Sequence, residues 1–159
     1  AKTLAWNLLP KDIKKELAEE QESLGNFGLH IHCPEASTPK DGPSAGITIT
    51  TAIVSRLCNI KVNNTIAMTG EIDLHGNVHA IGGLDAKLEG AKRAGVETVL
   101  VPKDNEEDYQ KILKKLAEQV DSPKGNEKLP DVIIVSNIIE VIKYALVEND
   151  LEFVNIFKN

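Results

Sequence analysis

The chain has 159 residues, of which 42% are hydrophobic and 26% are charged, and its formal net charge is −6. This length and composition are typical of one globular domain, which can bury a core without disulfides or a structural metal. The acidic balance argues against nucleic acid or an anionic membrane as the main partner. No run approaches the roughly 18 apolar residues of a membrane span, and the first residues do not have the pattern of a signal peptide.

The chain contains two cysteines, Cys33 and Cys58, and neither has a zinc-binding spacing with the four histidines. Both lie in apolar stretches, so we interpret them as reduced, buried small hydrophobic residues. Free cysteines predict a reducing compartment, either the cytoplasm or an organellar matrix.

The first third of the chain predicts three helices, one strand and one loop. Apolar residues recur at helical spacing at both ends of this region, whereas they alternate with histidines in the middle. A stretch with three prolines separates the alternating segment from the last helix and predicts a loop. In chain order, the predicted elements are helices over 2–9 and Lys11–Leu24, a strand with one buried face over Leu29–Cys33, a loop over Pro34–Pro43 and an apolar helix over Ser44–Leu57.

The remaining two thirds alternate between strand and helix patterns, with glycines at the predicted boundaries. The predicted elements are a strand over Thr65–Thr69, a hairpin over Glu71–Ile81 that turns at His75-Gly76-Asn77, a helix over Leu84–Ala94 with a left-handed cap at Gly95, a strand over Val96–Val101, a helix over Lys103–Glu118, a linker over Asp121–Pro130, a strand over Val132–Val135, a helix over Ile138–Val147 and a short strand over Leu151–Phe157. Interleaved helices and strands with one antiparallel hairpin predict a compact single α/β (α+β) domain with a mixed sheet.

The run Pro39-Lys40-Asp41-Gly42-Pro43-Ser44-Ala45-Gly46 places a serine between a stiff loop and a helix N-terminus. Unpaired N–H groups and the helix dipole favour negative charge there, including the oxyanion that forms when a carbonyl is attacked. Two other interpretations stay open. Ser44 has the residue type of a helix N-cap, and the loop is a weak match to a phosphate-binding loop because no Gly-Lys-Ser/Thr follows.

Lys87 lies in the first turns of the helix that follows Gly82-Gly83. A lysine that is neutral near physiological pH can accept a proton from a serine hydroxyl. The alternative is a solvated lysine on an amphipathic helix, as we interpret Lys92 and Arg93.

No Ser-His-Asp set is persuasive in this sequence. The four histidines are His30, His32, His75 and His79. Two share one face of the predicted strand and two flank the hairpin turn, so we interpret them as exposed polar residues rather than general bases. Glu71 and Asp73 form either a carboxylate pair or part of a solvated strand face.

Together these segments resemble the proteolytic domain of the Lon proteases that carry an ATPase in the same polypeptide. The resemblance extends from about His30 to Lys103, and its most specific parts are Pro39–Gly46 and the Gly82-Gly83-Leu84 run that precedes Lys87. The other matching segments are His30-Ile31-His32, Pro34-Glu35, Thr38, Ala67-Met68-Thr69-Gly70-Glu71, Gly76, Ile81, Ala94-Gly95 and Val101-Pro102-Lys103.

This resemblance implies a Ser-Lys dyad. Ser44 corresponds to the catalytic serine, and Lys87 corresponds to the lysine that acts as its general base. Thr69 matches a threonine that holds the lysine amine, and Asp41 and Glu71 match acidic residues beside the dyad.

The resemblance also implies that residues 1–159 form a Lon proteolytic domain, a serine endopeptidase that degrades misfolded or regulatory proteins. The implied partners are protein and peptide substrates and, in the full-length protein, the other subunits of a homo-hexamer. No Gly-x-x-x-x-Gly-Lys-Ser/Thr sequence is present. We therefore expect a fragment without the family's first strands, N-terminal domains and ATPase. ATP and Mg²⁺ are expected for that ATPase, and no cofactor or metal for this domain.

The alternative function is a catalytically inactive Lon-like domain used for oligomerisation or docking. The presence of both Ser44 and Lys87 counts against it. The distance between the Ser44 hydroxyl and the Lys87 amine is the quantity that best separates the two functions, since a dyad requires hydrogen-bonding reach.

Overall fold

The computed structural model describes residues 1–25, 28–32, 42–118 and 129–147. The helices in these ranges are α1 (Lys2–Leu8), α2 (Lys11–Leu24), α3 (Gly46–Cys58), α4 (Leu84–Arg93), α5 (Glu106–Glu118) and α6 (Ile138–Ala145), and a 3-10 turn covers Lys103–Asn105. The strands are β1 (Ile66–Met68), β2 (Glu71–Ile72), β3 (Val78–His79), β4 (Thr98–Pro102) and β5 (Asp131–Val135). None of the helices in the described ranges is long and apolar enough to cross a membrane.

The described strands form two sheets. β1, β4 and β5 form a parallel sheet in the order β1-β4-β5, and β2 pairs with β3 as an antiparallel hairpin. The predicted α/β class is confirmed, and the two kinds of pairing are divided between two sheets instead of sharing one. The kind of pairing matches the connections between the strands. The parallel pairs β1-β4 and β4-β5 are joined by long crossovers, whereas β2 and β3 are joined by the short turn of a hairpin.

Successive side chains of the central strand β4 enter two separate hydrophobic clusters. Leu100 packs with α3 and α6 in the first cluster, whereas Val99 and Val101 pack with α4 and α5 in the second cluster. Side chains alternate across a strand, so the two clusters lie on opposite faces of the parallel sheet. The domain therefore has α3 and α6 on one face of this sheet and α4 and α5 on the other.

Asp73 organises the turn of the β2–β3 hairpin. Its carboxylate accepts hydrogen bonds from the backbone N–H of His75 at 2.8 Å and from the backbone and side chain of Asn77 at 2.9 and 2.8 Å. The Asn77 side chain is the main cause that lowers the pKa of Asp73 below its usual value. β2 ends at Ile72, so Asp73 belongs to the turn and does not share a strand face with Glu71. The predicted turn itself is confirmed, with Gly76 at φ 89°.

The strand predicted over Leu29–Cys33 is wrong for the part that the structure describes. Residues 28–32 have no strand pairing, and Leu29 and Ile31 are 45% and 50% exposed. Apolar alternation produces a strand only where a neighbouring strand pairs with its backbone and a core covers one face. Cys33, most of the Pro34–Pro43 loop, most of the 121–130 linker and the Leu151–Phe157 strand lie outside the described residues.

The predicted left-handed cap after α4 and the predicted free thiol of Cys58 are both present. Gly95 has φ 71° directly after α4 and Ala94, as a left-handed helix cap requires. Cys58 is a free, partly buried thiol, as predicted. Burial, with a smaller contribution from the Asp12 carboxylate, raises the pKa of Cys58 to about 11.

Candidate active site

Ser44 lies just outside α3 and does not cap it. The N-cap of α3 is Ala45, which makes no side-chain capping bond, so the interpretation of Ser44 as N-cap is wrong. The carbonyl of Ser44 instead accepts hydrogen bonds from the backbone N–H of Gly70 at 2.9 Å and from the hydroxyl of Thr69 at 3.3 Å. These bonds fix the serine backbone against the carboxyl end of β1.

Gly46 permits the close approach of the hairpin to the start of α3. A Cβ at this position would lie 2.8 Å from Ile72 Cγ2 and 2.9 Å from the Ile72 backbone nitrogen. Because the backbone atom cannot rotate away, any larger residue would force β2 away from α3. The glycine of the Ser44-Ala45-Gly46 segment is therefore required for the close packing of α3 against β2.

α4 positions Lys87 from the other face of the sheet. The helix follows Gly83, whose φ of 67° lies in the left-handed region that glycine adopts without strain. Leu84 and Leu88 are 4% and 0% exposed and anchor α4 in the second cluster. Partly buried Lys87 lies between them and donates a hydrogen bond from Nζ to Ser44 Oγ at 3.5 Å. This distance is at the outer limit of hydrogen bonding, where catalytic pairs without substrate are often found.

A cavity of about 270 Å³ surrounds the two side chains. It lies along the edge strand β1, between residues of α3 on one side and of α4 on the other. Its lining residues are Ser44, Ala45, Thr48, Ala67, Met68, Thr69, Lys87, Ala91 and Val99. Five of these nine residues are apolar, so apolar side chains form just over half of the wall around the hydroxyl and the amine.

The other predicted site residues differ in their relation to this cavity. Thr69 is 7% exposed and lines the cavity. Its hydroxyl donates to the Ser44 carbonyl, and the Lys87 amine has Ser44 Oγ as its sole hydrogen-bond partner within the described part of the chain. Glu71 pairs with His79 in the hairpin and does not line the cavity. Asp41 lies outside the described residues.

The histidines lie away from the cavity, and none lines it. His30 and His32 are exposed in the segment 28–32. His79 Nε2 lies 3.1 Å from the Asp73 carboxylate in the exposed hairpin. Among the described residues there is also no group of three or more histidine, cysteine, aspartate or glutamate side chains that could hold a metal ion.

One buried polar residue near the start of α5, Asn105, is not among the site residues predicted from the sequence. It is 2% exposed and lies in the 3-10 turn after β4. Its side-chain oxygen accepts a hydrogen bond from the Ile81 N–H, and its side-chain nitrogen donates one to the Ile81 carbonyl. Both distances are 2.9 Å, and the two residues are 24 positions apart. A local signal for this role is absent, since an asparagine just before acidic residues is equally typical of a helix start.

Comparison with known proteins identifies the family of this chain. The family model described as the Lon protease (S16) C-terminal proteolytic domain matches residues 4–148. The chain is 46% identical over 125 residues to a Lon protease of Wolbachia pipientis subsp. Culex pipiens (strain wPip), covering 79% of this chain and 14% of that protein. It is 48% identical over 126 residues to a Lon protease of Rickettsia felis, covering 79% and 15%.

A third relative is Lon protease 1 of Bacillus subtilis (strain 168), which is 44% identical over 133 residues, covering 84% of this chain and 16% of that protein. The chain thus spans roughly one seventh of the length of these relatives. The match runs through both segments that meet at the cavity, the end of the loop at Ser44 and the start of α4. The chain belongs to the family of Lon protease C-terminal proteolytic domains.

Proposed function

We propose that this domain is a serine endopeptidase in which Ser44 is the nucleophile and Lys87 is the general base. The observation that carries the proposal is the 3.5 Å contact between Lys87 Nζ and Ser44 Oγ inside a small apolar cavity. Since Ser44 does not cap α3, its hydroxyl is available for chemistry. Membership of the Lon proteolytic family supports peptide-bond hydrolysis as the reaction.

The first half of the reaction forms an acyl-enzyme. The unprotonated form of the Lys87 amine accepts the proton of the Ser44 hydroxyl while Oγ attacks the peptide carbonyl. The backbone N–H groups of Gly46 and Ile47 already donate to the carbonyls of Pro43 and Gly70, so the dipole at the start of α3 is the candidate to stabilise the resulting oxyanion. The hydrogen bonds from Thr69 and Gly70 to the Ser44 carbonyl keep the nucleophile from turning away during the attack.

The first half ends when the protonated lysine amine donates its proton to the leaving amine and the peptide C–N bond breaks. The second half returns the enzyme to its starting state. A water molecule then enters, Lys87 takes one of its protons, and the resulting hydroxide attacks the ester carbonyl. Collapse of this second intermediate releases the new carboxylate and returns the proton to Ser44.

For the whole protein we propose ATP-dependent degradation of misfolded or regulatory proteins by a homo-hexamer. ATP and Mg²⁺ would bind to an ATPase in the same polypeptide, outside the residues of this chain. The support is the name Lon protease of the relatives and the small share of their length that this chain covers. The partly buried free thiol of Cys58 supports a reducing compartment such as the cytoplasm or an organellar matrix.

The test compares three variants, Ser44→Ala, Lys87→Ala and Lys87→Arg. Each should reduce cleavage of a fluorogenic peptide by about 1,000-fold or more, as expected when one member of a catalytic unit is removed. Arginine should not replace lysine, because a guanidinium does not lose its proton at physiological pH. Circular dichroism should show that all three variants are folded.

Arg93→Ala is a matched control, because Arg93 lies on the same helix, has a side chain that is 77% exposed and does not line the cavity. Its turnover should stay within about twofold of the wild-type value, as for most surface substitutions. Comparable turnover in Ser44→Ala or Lys87→Ala would contradict the dyad. A folded wild-type chain that neither cleaves peptide nor reacts at Ser44 with a fluorophosphonate would favour the docking-domain alternative.

A further inference from the structure

The side chain of Asn105 replaces a strand partner for the backbone of Ile81. Its Oδ1 accepts the Ile81 N–H at 2.9 Å, and its Nδ2 donates to the Ile81 carbonyl at 2.9 Å. Asn105 is 2% exposed, so these bonds are shielded from water. A buried amide that satisfies both polar groups of one residue fixes the position and the direction of that backbone.

Ile81 is the last residue held in this way before the helix that carries Lys87. Only Gly82 and Gly83 separate it from α4, and a Cβ at either glycine would meet no atom within 4 Å. α4 also begins without a side-chain cap. The start of this helix therefore depends on its connection to Ile81 for its placement along the helix axis.

The apolar packing of α4 does not determine this placement by itself. Leu84 and Leu88 hold the helix against the sheet, but apolar contacts have no preferred direction and tolerate small shifts. The contact between Lys87 Nζ and Ser44 Oγ is already 3.5 Å long, so a further shift of 1 Å would end it. The hydrogen bonds between Asn105 and Ile81 are directional, and they fix the position of the start of α4.

Asp108 determines which way the Asn105 amide faces. Asn105 Nδ2 donates to Asp108 Oδ2 at 3.2 Å, so the nitrogen lies on the side of the carboxylate and the oxygen on the side of the Ile81 N–H. This hydrogen bond is the main cause that lowers the pKa of Asp108 below its usual value. The carboxylate thus remains an acceptor at neutral pH and keeps the amide in one orientation.

We propose that Asn105 is a positioning residue that holds the start of α4 so that Lys87 reaches Ser44. This inference rests on the proposed Ser-Lys dyad. Asn105 lies outside the cavity and does not touch the reacting groups. It acts on the position of Lys87 through Ile81, Gly82 and Gly83.

The experiment replaces Asn105 with alanine in the full chain. Asn105→Ala should lower kcat for peptide cleavage by about tenfold or more, because small displacements of a catalytic group carry penalties of this size. KM should stay within about twofold, since seven of the nine lining residues lie outside α4. The crystal structure of the variant should show Lys87 Nζ farther from Ser44 Oγ than the 3.5 Å of the wild type.

The matched control is Asn63→Ala. Asn63 Oδ1 also accepts a backbone N–H, that of Thr65 at 3.0 Å, but it lies before β1, away from the cavity. Asn63→Ala should lower the midpoint of thermal unfolding and leave kcat within about twofold, as expected for a stability effect remote from the reacting groups. A general loss of stability would lower kcat in both variants and would contradict a specific role for Asn105.

A second variant covers the case in which Asn105→Ala does not fold. Asn105→Asp combined with Asp108→Asn keeps an acceptor for the Ile81 N–H and avoids two adjacent carboxylates. It loses the donor to the Ile81 carbonyl and should lower kcat by less than Asn105→Ala does, with KM unchanged.

The crystallographic distance does not depend on catalysis. An inactive wild-type chain would contradict the proposed function and leave this distance to decide the role of Asn105. A folded variant in which Lys87 Nζ still lies within 3.5 Å of Ser44 Oγ would overturn the inference, as would unchanged kcat.

Discussion

At the scale of single residues, two adjacent threonines of α3 show how much a buried hydroxyl depends on its partner. Thr50 and Thr51 are 0% and 1% exposed. The hydroxyl of Thr50 donates to the Gly46 carbonyl at 2.9 Å, whereas the hydroxyl of Thr51 has no partner among the described residues. A buried hydroxyl without a hydrogen bond costs about 1–3 kcal/mol.

Thr51→Val should therefore stabilise the domain by about 1 kcal/mol, because valine has the same shape and removes the unpaired group. Thr50→Val should destabilise it, because the same change there breaks a hydrogen bond. Urea unfolding measures both values. Equal effects of the two substitutions would show that the Thr51 hydroxyl has a partner in solution.

The chemistry of Ser44 and Lys87 is not apparent from either residue alone. Local patterns left Ser44 as an N-cap candidate because they place the helix start only to within a few residues, and α3 in fact begins two residues later. The resemblance to the Lon family paired the two residues across 43 positions. The role of Asn105 was not predicted because its contact with Ile81, 24 positions away, is also long-range and has no sequence signature.

At the scale of elements, the β2–β3 hairpin depends on a single carboxylate. Asp73 accepts hydrogen bonds from His75 and from Asn77, whose side chain contributes most to the lowered pKa. The folded pKa is lower than the unfolded value, so the carboxylate contributes stability above the unfolded pKa of about 4. This contribution is lost as the pH falls from about 4 towards the folded pKa.

Asp73→Asn should lower the free energy of unfolding at pH 7, and the difference from wild type should shrink as the pH falls below about 4. Chemical unfolding at pH 7 and at acid pH gives the comparison. Asp104→Asn is the control, since Asp104 is exposed and its carboxylate has no hydrogen-bond partner in the structure's described ranges. A difference between Asp73→Asn and wild type that does not change with pH would contradict this account.

Periodicity predicted the elements well where the core determines them. The helices α4 and α6, the hairpin and the three parallel strands all lie within a few residues of their predicted bounds. The failure at 28–32 has a physical cause, since alternation describes one strand but says nothing about a partner. The helix predicted from Lys103 begins with a 3-10 turn, because Asn105 turns inward towards Ile81.

At the scale of the whole molecule, the two proposed catalytic groups are positioned by helices that pack in different hydrophobic clusters. Ser44 precedes α3 in the first cluster, and Lys87 lies on α4 in the second. Packing defects in the second cluster should therefore disturb the position of the base more directly than defects of equal size under α6.

Leu88→Ala and Ile142→Ala test this difference. Both side chains are 0% exposed, and each truncation should cost about 2–5 kcal/mol of stability. At a temperature where both variants remain folded, Leu88→Ala should lower kcat more than Ile142→Ala, because Leu88 adjoins Lys87 on α4. Equal losses of kcat would mean that the dyad distance does not depend on which cluster is weakened.

The placement of Ser44 and Lys87 on opposite sides of the sheet also affects the order of events during folding. The two groups lie 43 positions apart along the chain and meet only after α3 and α4 have both docked against the β1-β4-β5 sheet. A chain on which one of the two helices has not docked has no assembled pair. A nascent or partly folded copy with either helix undocked would therefore lack the Ser44–Lys87 pair on which the proposed peptidase activity depends, and so could not digest itself or its neighbours by that route.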